Sequence, residues 1–134
     1  MPMILLDSNV ILDIWDADPS WSRWSLGQLR RQSTQHELAI NPIIYAEVSP
    51  RFRTPVDLDK AMAELGIRLL DIPRNAAFRA GKAHLLYRRK GGTKASILSD
   101  FFIGAHTAVL GCALLTRDPK RYTAYFPTVS LITP

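Results

Sequence analysis

The chain has 134 residues, 47% of them hydrophobic and 22% charged, a balance that fits one globular domain over residues 1–134 and excludes a disordered tail. Its longest apolar runs, such as Ala108–Leu115, fall short of the roughly 18–20 residues that cross a bilayer. The opening run Ile4–Leu6 is cut off by Asp7 with no basic stretch before it, so neither a membrane segment nor a signal peptide is expected and the expected compartment is the cytoplasm.

Met3–Leu6 reads as a first strand and Ser8–Trp15 as the helical turn after it. The helix resumes beyond Pro19, with Ser20 as its expected cap, and runs to about Gln32. Trp15, Trp21 and Trp24, with Leu26 and Leu29, serve either core packing or an interface. Glu37–Ile40 is a second strand, closed by Asn41-Pro42, a pair that caps and starts a helix through Val48. Pro50 and Pro55 interrupt the chain, Val56–Leu65 is helical, and Gly66 leads into a third strand at Ile67–Ile72. A long helix over Arg74–Lys90 stops at Gly91-Gly92. Ser96 or Ser99 then caps a helix whose stripe Leu98, Phe101, Phe102, Ala105, Val109 faces a core, with Gly111 as its stop. Cys112–Thr116 and Thr128–Ile132 complete five strands. Such alternation builds an α/β fold with a mainly parallel sheet covered on both faces, and it places ligand sites beyond the carboxyl ends of the strands.

The net charge of +5 is unevenly spread. Between Ile72 and Ser99 lie Arg74, Arg79, Lys82, Arg88, Arg89, Lys90 and Lys94 without a single acid, which fits either a polyanion partner or a solvated helix face. Gly91-Gly92-Thr93-Lys94 lacks the GxxxxGK[ST] spacing of a phosphate loop; it reads as a turn at the mouth of a groove, with Lys94 in reach of phosphate. Cys112 has no disulfide partner and reads as a buried strand residue, while His84 and His106 read as structural.

Four acids stand apart. Asp7 ends the first strand. Glu47 lies between Ile43 and Ile44 on the apolar face of its helix, where a charge needs a partner or a metal. Asp100 falls in a helix's first turn, and Asp118 follows the fourth strand. Taken singly, Asp100 is also a plain helix-start acid and Asp118 a plain loop acid. Together all four point to one crevice, where adjacent carboxylates would repel by about 4 kcal/mol per pair at an effective dielectric of about 20. No His or Cys accompanies them at zinc spacing, so an all-oxygen site for Mg²⁺ or Mn²⁺ is expected. Such a site suits phosphodiester hydrolysis.

The segments LLDSNVILDI, INPIIYAEV, LSDFFIGAHTAVLGCALLTRD and YFPTVSLI resemble the PIN-domain nucleases, in particular the VapC-type toxins of toxin–antitoxin pairs, through nearly the whole chain and in order. The resemblance implies a three-layer α/β/α sandwich and a metal-dependent endoribonuclease with Asp7, Glu47, Asp100 and Asp118 as its catalytic and metal-holding acids. Asn9 and Thr116, and with them Ser8, would orient carboxylates or a bound water. RNA would be the substrate, bound by Arg79, Lys82, Arg88, Arg89, Lys94 and Arg117. A cognate antitoxin would be the partner and a homodimer the assembly. One departure is Arg121-Tyr122, where many relatives carry Phe three or four residues after the last acid. Asp118 therefore either ligates metal or joins Arg117 and Lys120 in a salt-bridge network or RNA rim. The alternatives are a silent RNA-binding protein and a phosphotransfer domain. Asn9 speaks against an acid-catalysed phosphatase, which would want Asp there.

Overall fold

A computed structural model describes residues 1–134. Five short parallel strands form one sheet: β1 (Met3–Leu6), β2 (Glu37–Ile40), β3 (Ile67–Leu69), β4 (Ala113–Leu115) and β5 (Ser130–Ile132), in the order β3-β2-β1-β4-β5. The register sets Leu5 beside Ala39 and Leu114, and Leu115 beside Ile132. β1 is central, and its Ile4, Leu5 and Leu6 are fully buried, as a strand covered on both faces requires.

Seven helices cover the sheet in an α/β/α sandwich: α1 (Ser8–Trp15), α2 (Ser22–Ser33), α3 (Pro42–Val48), α4 (Pro55–Glu64), α5 (Arg74–Arg89), α6 (Ile97–Leu110) and α7 (Lys120–Thr123), with a single 3-10 turn at Ser49–Arg51. None is long and apolar enough to cross a membrane. The chain steps outward from β1 to β3, then reverses and builds β4 and β5 on the other side of β1. Because parallel crossovers are right-handed, this reversal puts the two sets of connections on opposite faces. It also leaves a switch point between β1 and β4, where the connections part and a crevice opens above the strand ends.

The core is one large cluster of β1, β2 and β4 side chains with Val10, Ile11, Ile44, Leu58 and Ile103, and a smaller one of Ala80, Phe101, Ala105 and Phe126. Local signals agree with most element ends. Asn41 Oδ1 accepts from the Ile43 and Ile44 amides and caps α3, and Gly111 turns left-handed at φ 62° to end α6. Three expectations are corrected. Asp18, not Ser20, closes the turn before α2, accepting from the Ser20 and Trp21 amides at 2.8 and 2.9 Å. β3 ends at Leu69, because the chain leaves the sheet once the Leu70 amide has donated to the Ile40 carbonyl. α6 does not bury one stripe: Asp100, Phe101 and every residue from Ile103 to Thr107 are buried, since the helix packs against α3, α5 and α7.

Candidate active site

β1 ends on Leu6, and the Asp7 amide donates to the Leu115 carbonyl of β4 at 2.9 Å. This last rung of the ladder fixes Asp7 at the switch point, fully buried. A buried carboxylate needs donors, and Asp7 has them from three parts of the chain. Its Oδ1 accepts from the Ser8 amide at 2.8 Å, as the N-cap of α1. Its Oδ2 accepts from the Thr116 hydroxyl at 2.8 Å, the Tyr122 hydroxyl at 2.7 Å and, at 3.5 Å, the Asn9 side-chain amide. Burial, then the charge of Asp7, holds the Tyr122 phenol above its ordinary range, so Tyr122 stays a donor.

Thr116 is a junction. Besides donating to Asp7, its hydroxyl accepts from the Asn9 side chain at 3.4 Å and the Asp118 amide at 3.1 Å. The loop after β4 is thereby tied to the loop after β1, and Asp118 is brought to the same edge. The expected supporting residues Asn9, Thr116 and Ser8 all stand beside Asp7.

Glu47 projects from α3 toward this group. Its Oε1 is buried without a hydrogen-bond partner. Desolvation, then the charge of Asp7, raises its carboxyl above the usual glutamate range, while the nearby Ser8 hydroxyl and the Arg121 charge pull the other way. An orphaned carboxylate oxygen beside a second carboxylate is a place for a cation.

The cation present is one the sequence did not mark as part of the site. The Arg121 guanidinium, from α7, donates to Asp100 Oδ1 and lies 3.6 Å from Asp7 Oδ2. It spans two of the four acids. The carboxylates are consequently not drawn into a metal-ligand cluster in this arrangement. Asp100 and Asp118 instead line an open hollow of about 510 Å³, together with Lys94, Ser96, Lys120 and Arg121. Asp7 and Glu47 do not belong to its wall, and Arg121 connects it to Asp7.

Arg117 also departs from expectation. Its Nε and one terminal nitrogen donate to the two oxygens of buried Asp13 at 2.9 and 3.1 Å, and Ser25 Oγ donates to the same carboxylate at 2.7 Å. Its guanidinium also sits 5.4 Å from the Trp21 ring. Arg117 thus locks α1 and α2 to the loop after β4 rather than presenting a free charge at a rim. Asp13 went unread in the sequence, although its position six residues after Asp7 on an otherwise apolar helix was a signal. Arg79, Lys82, Arg88, Arg89 and Lys94 are exposed on α5 and the loop after it.

The model of the PIN domain matches residues 4–126. The chain belongs to the PIN domain family. Its fold is also that of solved complexes. VapBC-1 from nontypeable Haemophilus influenzae is similar at a TM-score of 0.72 and 17% identity, covering 98% of this chain and 97% of that one. VapBC2 from Rickettsia felis, bound to a DNA fragment from its promoter, gives 0.70 and 17% over 98% of both chains. A toxin-antitoxin complex from Klebsiella pneumoniae gives 0.68 and 22%, covering 98% of this chain and 97% of that one. No curated protein sequence matches the chain. In this PIN domain Arg121 stands between Asp7, at the β1–β4 switch point, and Asp100, which lines the open hollow with Asp118, while Glu47 feels the charge of Asp7 from α3.

Proposed function

We propose that this PIN domain is the toxin of a toxin–antitoxin pair and acts as a divalent-metal-dependent endoribonuclease. The observation that carries the reading is the buried, unpartnered Glu47 oxygen facing the charge of Asp7 at the sheet's switch point. Two carboxylates at that spot, with Asp100 joined to one of them through Arg121, are costly unless a cation offsets them. The donors are all oxygen, the chemistry that Mg²⁺ or Mn²⁺ takes. Asp7, Glu47 and Asp100 would hold the ion, with Asp118 at the rim. When bound, such an ion makes water nucleophilic near neutral pH and offsets charge at a phosphodiester.

The remaining roles fall to the chain itself. Thr116, Asn9 and Tyr122 fix the Asp7 carboxylate so that it presents one orientation. Lys94, Lys120 and Arg121 line the hollow that carries Asp100 and Asp118, and they offset the repulsion that an acidic cleft exerts on a polyanion. The exposed cations of α5 extend that attraction. Asn9 bridges Asp7 and Thr116 as an amide, which leaves no general acid at the place a phosphatase of this topology would need one. The toxin role and an antitoxin partner draw support from the solved complexes that share the fold. A homodimer and a cytoplasmic location belong to the same reading.

The test is direct. Purified protein free of any partner cleaves single-stranded RNA with Mg²⁺ or Mn²⁺, stops with EDTA, and loses cleavage in Asp7→Asn and Asp100→Asn. Wild-type rates in both variants would remove the site. One observation favours a second reading, a catalytically silent RNA-binding PIN domain: Arg121 already neutralises Asp7 and Asp100. RNA binding without cleavage under any divalent ion would select it. A small adjacent open reading frame encoding a DNA-binding N-terminus is expected beside the gene.

A further inference from the structure

The carboxyl end of α5 and the loop to α6 enclose a second hollow, of about 470 Å³, walled by His84, Tyr87, Arg88, Gly92, Thr93 and Lys94 with no acid among its lining residues. Lys94 lines this hollow and the acidic one alike, so the two share a wall. The His84 and Tyr87 rings lie near parallel, 21° apart with centroids at 6.4 Å. Tyr87 is braced edge-on by Phe101 and Tyr125 at 5.8 and 6.1 Å, and its hydroxyl accepts from the Lys94 amide at 2.9 Å. A Cβ at Gly92 would fall 2.3 Å from the Tyr87 ring. The loop backbone therefore lies directly against the aromatic ring, and the amide bond to the Tyr87 hydroxyl ties the Lys94 backbone to the same ring.

Cations alone draw in any polyanion. Cations beside aromatic rings, in a hollow of this size, suit a phosphate joined to a flat base. We propose that this hollow is a nucleotide subsite, which seats one nucleotide of single-stranded RNA next to the acidic cleft. The base packs against His84 and Tyr87, Arg88 takes a backbone phosphate, and Lys94 serves the phosphate shared between the two hollows. The Thr93 hydroxyl offers a hydrogen bond to the base edge. The assignment rests on the ribonuclease reading, because it gives the RNA its direction: one nucleotide is held here while the adjoining phosphodiester lies over Asp100 and Asp118.

The experiment uses the full chain carrying Asp7→Asn, so that RNA survives, and a fluorescein-labelled hexaribonucleotide read by anisotropy. Six further strands each lack one base. Arg88→Ala and Lys94→Ala weaken binding of every strand by about 5–10-fold and flatten its salt dependence. His84→Ala weakens the intact strand by about 10-fold, yet makes no difference to the strand abasic at one particular position. Tyr87→Phe, which keeps the ring and drops the loop hydrogen bond, has the smaller effect of loosening Lys94. A His84→Ala loss that is equal for all seven strands would overturn the base contact, and unchanged binding in all variants would overturn the subsite. If wild-type protein cleaves RNA while these patterns are absent, the subsite alone fails. If the patterns hold without cleavage under Mg²⁺ or Mn²⁺, the subsite stands and the ribonuclease reading falls.

Discussion

Arg121 holds Asp100 by a direct ion pair, closing α7 onto the first turn of α6. The same guanidinium faces Asp7, so any divalent ion drawn to these carboxylates competes with a charge the fold already supplies. Arg121→Met should therefore act in opposite directions on two measurements. With EDTA present the protein loses about 2–3 kcal/mol in urea denaturation, since two buried acids lose a partner. Mn²⁺ binding by titration calorimetry becomes tighter by about tenfold or more, since the competing charge is gone. Weaker Mn²⁺ binding in Arg121→Met would mean that the arginine assists the site rather than competing for it.

Tyr122 and Thr116 supply the two hydroxyl hydrogen bonds to Asp7, at 2.7 and 2.8 Å. Tyr122→Phe keeps the ring in its buried slot and removes one donor, at an expected cost of about 1–2 kcal/mol. Thr116→Val costs a similar amount and also releases the Asp118 amide, so its loss of RNA cleavage should exceed that of Tyr122→Phe. Equal cleavage losses at matched stability would leave Asp118 without a part in the reaction.

Arg117 makes a sharper case. Removing it leaves the Asp13 carboxylate buried with only Ser25, so Arg117→Ala should destabilise by about 3–5 kcal/mol. Pairing it with Asp13→Asn should recover most of that loss. If Arg117→Ala instead folds normally and binds RNA poorly, Arg117 belongs to the RNA surface after all.

His106 contributes a pH dependence of its own. Asn41 Oδ1 is committed to capping α3, so its Nδ2 donates to His106 Nδ1 at 3.2 Å. That bond requires a neutral ring, and burial lowers the His106 pKa from 6.5. With the folded-state value depressed, the stabilisation is present above the unfolded pKa and is lost as pH falls from about 6.5 through the folded value. Urea midpoints should drop between pH 7.5 and 5.5 and drop less in His106→Gln. An equal drop in both proteins would assign the effect elsewhere.

What the sequence disclosed follows the range of the forces involved. Asn41 was legible as a cap because its partners lie two and three residues on. Glu47 was legible because helical periodicity alone sets a carboxylate on an apolar face. The parallel sheet covered on both faces followed from alternation. The Asp13–Arg117 pair was not legible, since its members lie 104 residues apart. Nor was Arg121: it read as a departure from a motif, and only the short helix α7, which the sequence did not announce, aims it at Asp100. α6 misled because a helix packed against several others has no single stripe.

The switch-point geometry also sets an order of assembly. Asp7 precedes its hydroxyl donors Thr116 and Tyr122 by 109 and 115 positions. A chain growing from its N-terminus can lay β2 beside β1 and β3 beside β2 long before β4 exists to fill the other side of β1. Contacts of such sequence separation form late and slowly. A stalled or truncated product ending before β4 thus holds Asp7 and even Asp100, but lacks Thr116, Tyr122 and the Arg121 that links the two acids, so the candidate site is assembled only once β4 and α7 have been made.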